Sequence, residues 1–348
     1  MKHVIFGGDG FVGRYIARDL LARGEQVLIC DRSRSDLPIY RFADFLEIDV
    51  RDAAAVGRVP LAADDIVHNM AARLLMPPVK KAARYAAYFP VHVDGPRNIL
   101  AHMERSGANH LVQFSTDMVY GPSVTPPPIR TDHPRNPIDA YGQSKKECED
   151  LCRAWRNRGM RISLFRPRMV MGPGRLGLLR NLFRLIERGL PVPTIGAGTN
   201  RYQFVSVFDC ASFAVQAGDL GCPNGEWNLG SVGAPSVREL LQGLIKHAGS
   251  RSIVVPTPAF AVKGVLAALG YFGVSLMTRE QYAIANEDYV VDVEDLRTSF
   301  GRVPEGTDEQ MLTAAFDEYR RNRDPQKLAN VFKADSAWAD FTARRARV

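Results

Sequence analysis

The sequence predicts an α/β fold: a doubly wound parallel sheet followed by a smaller C-terminal α/β part. Three observations predict it. Short apolar runs suited to buried strands alternate with helical patterns through the first half of the chain. The first of these strands runs into a glycine-rich turn and a helix, and the next strand ends on an acid. The 348 residues exceed what one small core needs and leave room for a second unit.

Residues 2–6 read as a short buried strand, followed by Gly7-Gly8-Asp9-Gly10-Phe11-Val12-Gly13. A helical pattern runs from Arg14 to Arg23 and is closed by Gly24; the run from Gln26 to Cys30 then ends at Asp31. Strand, glycine turn, helix, strand and acid form the context that makes a glycine pattern a dinucleotide site. Gly7, Gly10 and Gly13 permit a tight turn and close approach of a pyrophosphate. Phe11 and Val12, within the turn, are expected beside the cofactor, and the helix N-terminus that follows faces the phosphates with its positive dipole end. A carboxylate at Asp31 accepts hydrogen bonds from ribose hydroxyls and repels a 2′-phosphate, favouring NAD over NADP. Arg32 and Arg34 pull the other way, because a nearby arginine can hold a 2′-phosphate.

Residues 45–50 form a third strand and residues 64–72 contain a fourth, after which Met70, Ala71 and Ala72 let a cofactor backbone approach. Residues 111–116 form a fifth. Ligands of such sheets bind beyond the carboxyl ends of the strands, which places Ser115 and Thr116 near the cofactor. A proline-rich loop, 122–137, precedes Tyr141-Gly142-Gln143-Ser144-Lys145. On a helix this spacing puts a phenol and an ammonium on one face, one turn apart. The ammonium favours the phenolate, which can take a proton from a substrate hydroxyl.

These residues resemble the extended short-chain dehydrogenases/reductases, specifically the NAD-dependent epimerase/dehydratase group. The resemblance runs from about Lys2 to Asp209, and more faintly to about Pro304. It comprises Gly7-x-x-Gly10-x-x-Gly13, Asp31, Asp49-Val50, His68-x-x-Ala71-Ala72, Ser115 to Gly121, Tyr141-x-x-x-Lys145, and Arg166-Pro167 through Gly172-Pro173-Gly174. It implies a Rossmann-type domain over 1–170, with a later strand returning near 203–209, a substrate-binding part over 171–318 and a basic tail over 319–348. It also implies that Asp49 and Val50 border the adenine. Tyr141 would be the catalytic base, Lys145 would hold the nicotinamide ribose, and Thr116 would take the place of the family's catalytic Ser/Thr. Arg166 would lie beside the cofactor, and a homodimer would form through the helices around Val91 and Tyr141.

Some positions depart from the family pattern. Sugar 4,6-dehydratases typically have Asp-Glu after the catalytic threonine, where this chain has Asp117-Met118. Asp117 could protonate a leaving hydroxyl; Met118 cannot act as a base and would border the substrate. Met169 stands where many sugar-nucleotide enzymes have an Asn that touches the diphosphate. Tyr202 stands where they often have an Arg. Arg168 and Arg201 are therefore read as binding an anion in a shifted geometry, with plain surface charges as the alternative. His92 replaces the usual Asn ahead of the fifth strand and reads as a packed helix histidine.

In the second half, helices are expected over 176–188, from an Asp209 cap to Leu220, and over 237–248 behind a Ser236/Glu239 capping box. Strands are expected over 203–207 and 226–230, and a closing strand and helix within 286–304. Residues 259–277 are apolar, with one lysine and three glycines. They read as a helix over the substrate pocket, with membrane contact as the lesser alternative. The five cysteines are odd in number and show no metal-like pairing, so no metal site is read. The net charge of +7 is scattered without a dense run, which points to an anionic small molecule and not to nucleic acid. Met1-Lys2 leads straight into a strand, so the cytoplasm is the expected location.

The function expected from these residues is NAD-dependent oxidation of a secondary alcohol by hydride transfer. A nucleoside-diphosphate sugar is the first expectation, with epimerase or keto-reductase as outcome. A bulky non-nucleotide alcohol, sterol- or terpenoid-like, is the alternative, and a non-catalytic NAD-binding subunit the third.

Overall fold

In the computed structural model, residues 1–73, 81–173, 175, 179–271 and 282–321 are described. The strands are β1 (His3–Phe6), β2 (Val27–Asp31), β3 (Asp44–Glu47), β4 (Ile66–Asn69), β5 (His110–Phe114) and β6 (Arg161–Pro167). They continue with β7 (Met169–Met171), β8 (Val192–Ile195), β9 (Phe204–Ser206), β10 (Gly225–Leu229) and β11 (Val254–Thr257). The helices are α1 (Phe11–Ala22), α2 (Ala53–Gly57), α3 (Lys81–Phe89), α4 (Gly95–Ser106), α5 (Ala140–Arg156) and α6 (Leu179–Glu187). After them come α7 (Val207–Asp219), α8 (Val237–His247), α9 (Ala259–Tyr271), α10 (Glu294–Phe300) and α11 (Asp308–Arg321).

Seven strands form one sheet in the order β10-β6-β5-β4-β1-β2-β3, every neighbouring pair parallel. The order reverses between β1 and β4, and the glycine turn leaves β1 at that switch point. Strands β1, β4 and β5 are almost wholly buried, as a parallel sheet covered on both faces requires. On one face α1 and α7 cover the sheet with Ile16, Leu20, Phe213 and Ala214. On the other, α4 and α5 cover it with Ile99, Met103, Cys148 and Cys152. All five cysteines are buried and free.

The strand expected to return near 203–209 does not join this sheet. β9 pairs with β7 in a separate two-stranded sheet, and β10 is the strand that completes the main one. Asp209 is likewise not a cap. Ser206 caps α7 by accepting from the Phe208 N–H at 3.2 Å, while Asp209 accepts from Glu305 and Gly306, both at 3.1 Å. The expected capping box of α8 is present, with Ser236 and Glu239 bonding reciprocally. A third core of Phe183, Leu240, Leu244, Leu312 and Phe316 joins α6, α8 and α11. The expected strand within 286–304 is reduced to single bridges, Tyr202 to Tyr289 and Ile129 to Val291, followed by α10.

Among the described residues no helix is long and apolar enough to cross a membrane. Residues 74–80, 174, 176–178, 272–281 and 322–348 lie outside the description. They include Gly174, the start of the helix expected from 176, the end of the apolar 259–277 stretch and almost all of the basic tail.

A buried cation locks β6 and the edge strand β10 to α5. Arg166 on β6 is 0% exposed and donates to both oxygens of Glu149, at 2.9 and 2.8 Å. It also pairs with Glu226 on β10 and donates to the Tyr120 hydroxyl at 2.8 Å and the Thr131 carbonyl at 2.9 Å. Arg153 and Arg156 add donors to Glu226, whose carboxyl is held down at about 2 although burial alone would raise it. Removing one partner of such a network leaves buried charge uncompensated. Arg166→Ala is expected to destabilise the fold by about 3–5 kcal/mol, read as a lower urea midpoint in equilibrium unfolding.

Candidate functional site

The cleft at the switch point begins with steric necessity. Gly7 has φ +75, and a Cβ there would lie 2.5 Å from the Ala71 nitrogen after β4. A Cβ on Gly13 would lie 2.4 Å from the Gly7 carbonyl oxygen. Gly7 and Gly13 thus let the turn, the start of α1 and the end of β4 come together. α1 opens at Phe11 with Val12 behind it. It has no side-chain cap bond and no acid in its first turn. Its positive dipole end suits an anion.

A cavity of about 500 Å³ lies in front of this turn. Gly7 and Gly10 form one wall; Asp31, Arg32, Asp49, Val50, Met70, Ala71 and Ala72 line the rest. Asp31 accepts from the Asp9 N–H at 3.0 Å and the Arg32 N–H at 2.8 Å, and burial pushes its carboxyl above the ordinary value. Asp49 is held by Arg51 through a forked contact of 2.6–3.0 Å. Arg34 stacks on Tyr40 at 4.6 Å and does not line the cavity. Asp9, inside the glycine turn, accepts from Ser35 N–H (3.1 Å), Ser35 hydroxyl (2.6 Å) and Tyr40 hydroxyl (2.7 Å). It ties down the loop after β2, a role sequence reasoning missed; an acid between two required glycines was the signal. A dinucleotide fits these walls: glycines for the pyrophosphate, an open helix end and a carboxylate at the second strand.

The second cluster stands on α5. Asp139 caps this helix by accepting from the Ala140 N–H at 2.8 Å and pairs with Arg84 at 2.7 Å. Tyr141 occupies the first turn. One turn on, Lys145 is 4% exposed and donates to the Phe114 carbonyl, at the end of β5, at 3.1 Å. Burial lowers its pKa. Thr116 follows β5 and caps the short turn 117–119 by accepting from the Met118 N–H at 3.3 Å.

The Tyr141 ring is bounded edge-on by Tyr88 at 5.6 Å and His92 at 5.4 Å. His92 sits in a π-helical turn, 90–94, that joins α3 to α4. Its Nε2 accepts from the Arg73 N–H at 3.0 Å, so its Nδ1 donates to the Ser144 hydroxyl at 2.8 Å. Ser144 in turn donates to the Tyr141 carbonyl at 2.7 Å. Burial first, and Lys145 second, push the His92 pKa well below its usual range, which keeps the ring neutral. The packed helix histidine is thus a strut between the β4 loop and α5. Arg175 was also missed. Its guanidinium lies 5.5 Å from the Phe11 ring, burial lowers its pKa, and the charge of Tyr141 acts on it.

Several expected residues are engaged elsewhere. Ser115 gives its hydroxyl to Glu149 at 2.6 Å, and Arg166 belongs to the buried lock, so neither side chain is turned to the cofactor. Asp117 is paired with Arg168, and both are only 2% exposed. Arg168 is thereby no free anion site. Arg201 pairs with Asp288 at 2.9 Å on the surface. Met118 and Met169 are half-buried, and Tyr202 stacks on Arg168 at 4.6 Å. The reason is common to all four polar cases: each cation or hydroxyl met a carboxylate between 17 and 87 positions away, which composition could not place.

A glycine-lined dinucleotide cleft beside a Tyr/Lys pair and a strand-end threonine defines a nicotinamide-dependent oxidoreductase of the short-chain type. The chain belongs to the NAD dependent epimerase/dehydratase family, whose model matches residues 3–230. It is 29% identical over 323 residues to the uncharacterized protein y4nG of Sinorhizobium fredii, covering 92% of this chain and 79% of that one. It is 29% identical over 214 residues to the N-acetyl-alpha-D-glucosaminyl-diphospho-ditrans,octacis-undecaprenol 4-epimerase of Escherichia coli O157:H7, covering 60% of this chain and 61% of that enzyme. The fold is that of the UDP-glucose 4-epimerase of Thermotoga maritima solved with UDP-glucose. That likeness has TM-score 0.73 and 20% identity, over 93% of this chain and 100% of that one.

Because its Cβ would collide with the Gly7 backbone, Gly13→Ala is expected to abolish the rise in melting temperature that NAD+ gives the wild type, read by thermal unfolding with and without NAD+.

Proposed function

We propose that this enzyme oxidises a secondary carbinol of a nucleoside-diphosphate sugar and reduces the resulting ketone, as an epimerase or a keto-reductase. The observation that carries the reading is the placement of Thr116 just after β5 and of Tyr141 and Lys145 on α5, next to the cleft at β1 and β4. NAD, when bound, supplies hydride acceptance and return. Gly7, Gly10, Phe11, Val12 and Gly13 would hold its pyrophosphate, Asp31 its adenosine ribose, and Asp49 and Val50 its adenine. The Asp31 carboxylate favours NAD over NADP.

Tyr141 takes the carbinol proton. Lys145, a buried cation anchored on the Phe114 carbonyl, favours the phenolate that can do so. Thr116 hydrogen-bonds the oxygen as it becomes a carbonyl. His92 and Ser144 hold the turn that carries Tyr141. A homodimer through the helices around Val91 and Tyr141 completes this reading.

One observation favours a second substrate class, a sugar or alcohol bearing a long apolar group. α9 exposes Phe260 (82%) and Val265 (58%), while Lys263, its one charge, turns inward to the Ala283 carbonyl at 2.6 Å. The relative from Escherichia coli is named for an undecaprenol-linked sugar.

Tyr141→Phe removes the base and leaves the cleft intact. Turnover of UDP-glucose or UDP-N-acetylglucosamine should fall by about 10²–10⁴-fold, with the NAD+-dependent melting shift retained. Undiminished turnover would remove Tyr141 from the chemistry. If neither wild type nor variant turns over any sugar, while both bind NAD+, the non-catalytic reading gains the ground.

A further inference from the structure

A family member that ends in dehydration needs a proton donor for the departing hydroxyl, and Asp117 is the residue this sequence offers. Its surroundings give it another task. The Asp117 carboxylate is 2% exposed and both of its oxygens act as acceptors: Oδ1 from the Thr116 hydroxyl at 3.2 Å, Oδ2 from Arg168 Nη1. Neither oxygen presents a proton to the cleft. Its backbone is fixed as well, since its carbonyl accepts from the Tyr289 hydroxyl at 3.2 Å.

Arg168 is held no less firmly. Its guanidinium lies between the rings of Tyr202 and Tyr289, 4.6 Å from each centroid. Among the described residues its Nε and Nη2 have no hydrogen-bond partner. Two aromatic faces stabilise the charge there where acceptors do not. Tyr202 and Tyr289 are themselves bridged, and Tyr289 is fully buried. The chain of contacts therefore runs from the Tyr202 and Tyr289 segments through Arg168 and Asp117 to Thr116.

A hydroxyl has one proton to give and two lone pairs. In this arrangement Thr116 gives its proton to Asp117 and uses one lone pair on the Met118 N–H. The side-chain rotamer is thereby set before any substrate arrives, and the long 3.2 Å bond lets the proton turn from Asp117 to the substrate oxygen as that oxygen becomes a carbonyl. We infer that Asp117 and Arg168 are positioning residues that fix the Thr116 hydroxyl, and that this enzyme does not expel water from its substrate through Asp117. The inference rests on the reading of Thr116 given above, and it narrows the outcome to return or release of the ketone.

The test uses the full-length protein with NAD+ and UDP-glucose or UDP-N-acetylglucosamine as probes. Asp117→Asn and Arg168→Met should each lower kcat by about ten- to a hundredfold, the cost of a slightly misplaced catalytic group. KM and the NAD+-dependent melting shift should change little. In a Thr116→Ala background the same substitutions should add almost nothing, because they act through Thr116; a merely structural role would add its loss there too. Full kcat in Asp117→Asn, or a wild-type product lighter by one water that disappears in that variant, overturns the inference. If neither sugar reacts, the reading of the substrate fails and the pair is judged separately. Crystal structures of the NAD+-bound wild type and Asp117→Asn must then show the Thr116 hydroxyl in different rotamers, and an unchanged rotamer overturns the inference.

Discussion

The pairing of Arg166 with Glu149 and Glu226 is the constraint on which the site depends. Glu149 lies on α5, two turns beyond Tyr141 and one beyond Lys145, and is 0% exposed. Arg166 sits on β6 and Glu226 on β10, so one guanidinium fixes α5 to the edge of the main sheet. Ser115, at the end of β5, joins the same carboxylate. The energetic logic is one of completeness. Burying these charges is unfavourable, and they are tolerated because each carboxylate oxygen and each Arg166 guanidinium nitrogen finds a hydrogen-bond partner, charged or neutral.

Given that anchoring, the reactive groups are placed by three independent devices. The Asp139 cap sets where α5 begins, and so where the Tyr141 side chain emerges. The Phe114 carbonyl draws the Lys145 ammonium across to the end of β5. The turn at Thr116 follows β5, with the Thr116 hydroxyl held by Asp117 and the Met118 N–H. None of the three lies on a loop without a second element behind it, and that rigidity is what positioning catalysis requires. The cofactor side uses a different device, the absence of side chains at Gly7 and Gly13, which lets backbone approach backbone.

The sheet and the glycine cleft were legible in the sequence because both are local. A strand, a glycine turn, a helix and an acid announce themselves within about thirty residues. Tyr141 and Lys145 were legible for the same reason, being one turn apart. What could not be read was long-range pairing. Arg166, Arg168, Arg201 and Ser115 each carried a plausible ligand role, and each found a carboxylate 17, 51, 87 and 34 positions away. The strand completing the sheet was misread for a related reason. Phe204-Val205-Ser206 and the run at 225–229 are both short, and pairing decides between them: β10 joins β6 while β9 joins β7. Asp209 failed as a cap because Ser206 stands closer to the helix start and Asp209 is used by the loop at Glu305 and Gly306.

The central claim is that hydride leaves a substrate carbon and returns within one closed site. Its most direct test is isotopic. UDP-glucose carrying deuterium on its C4 carbinol carbon should give an epimer that retains the label at that same carbon, with none released to water. Loss of the label to solvent with turnover intact would contradict the account and point to proton abstraction at that carbon instead of hydride transfer.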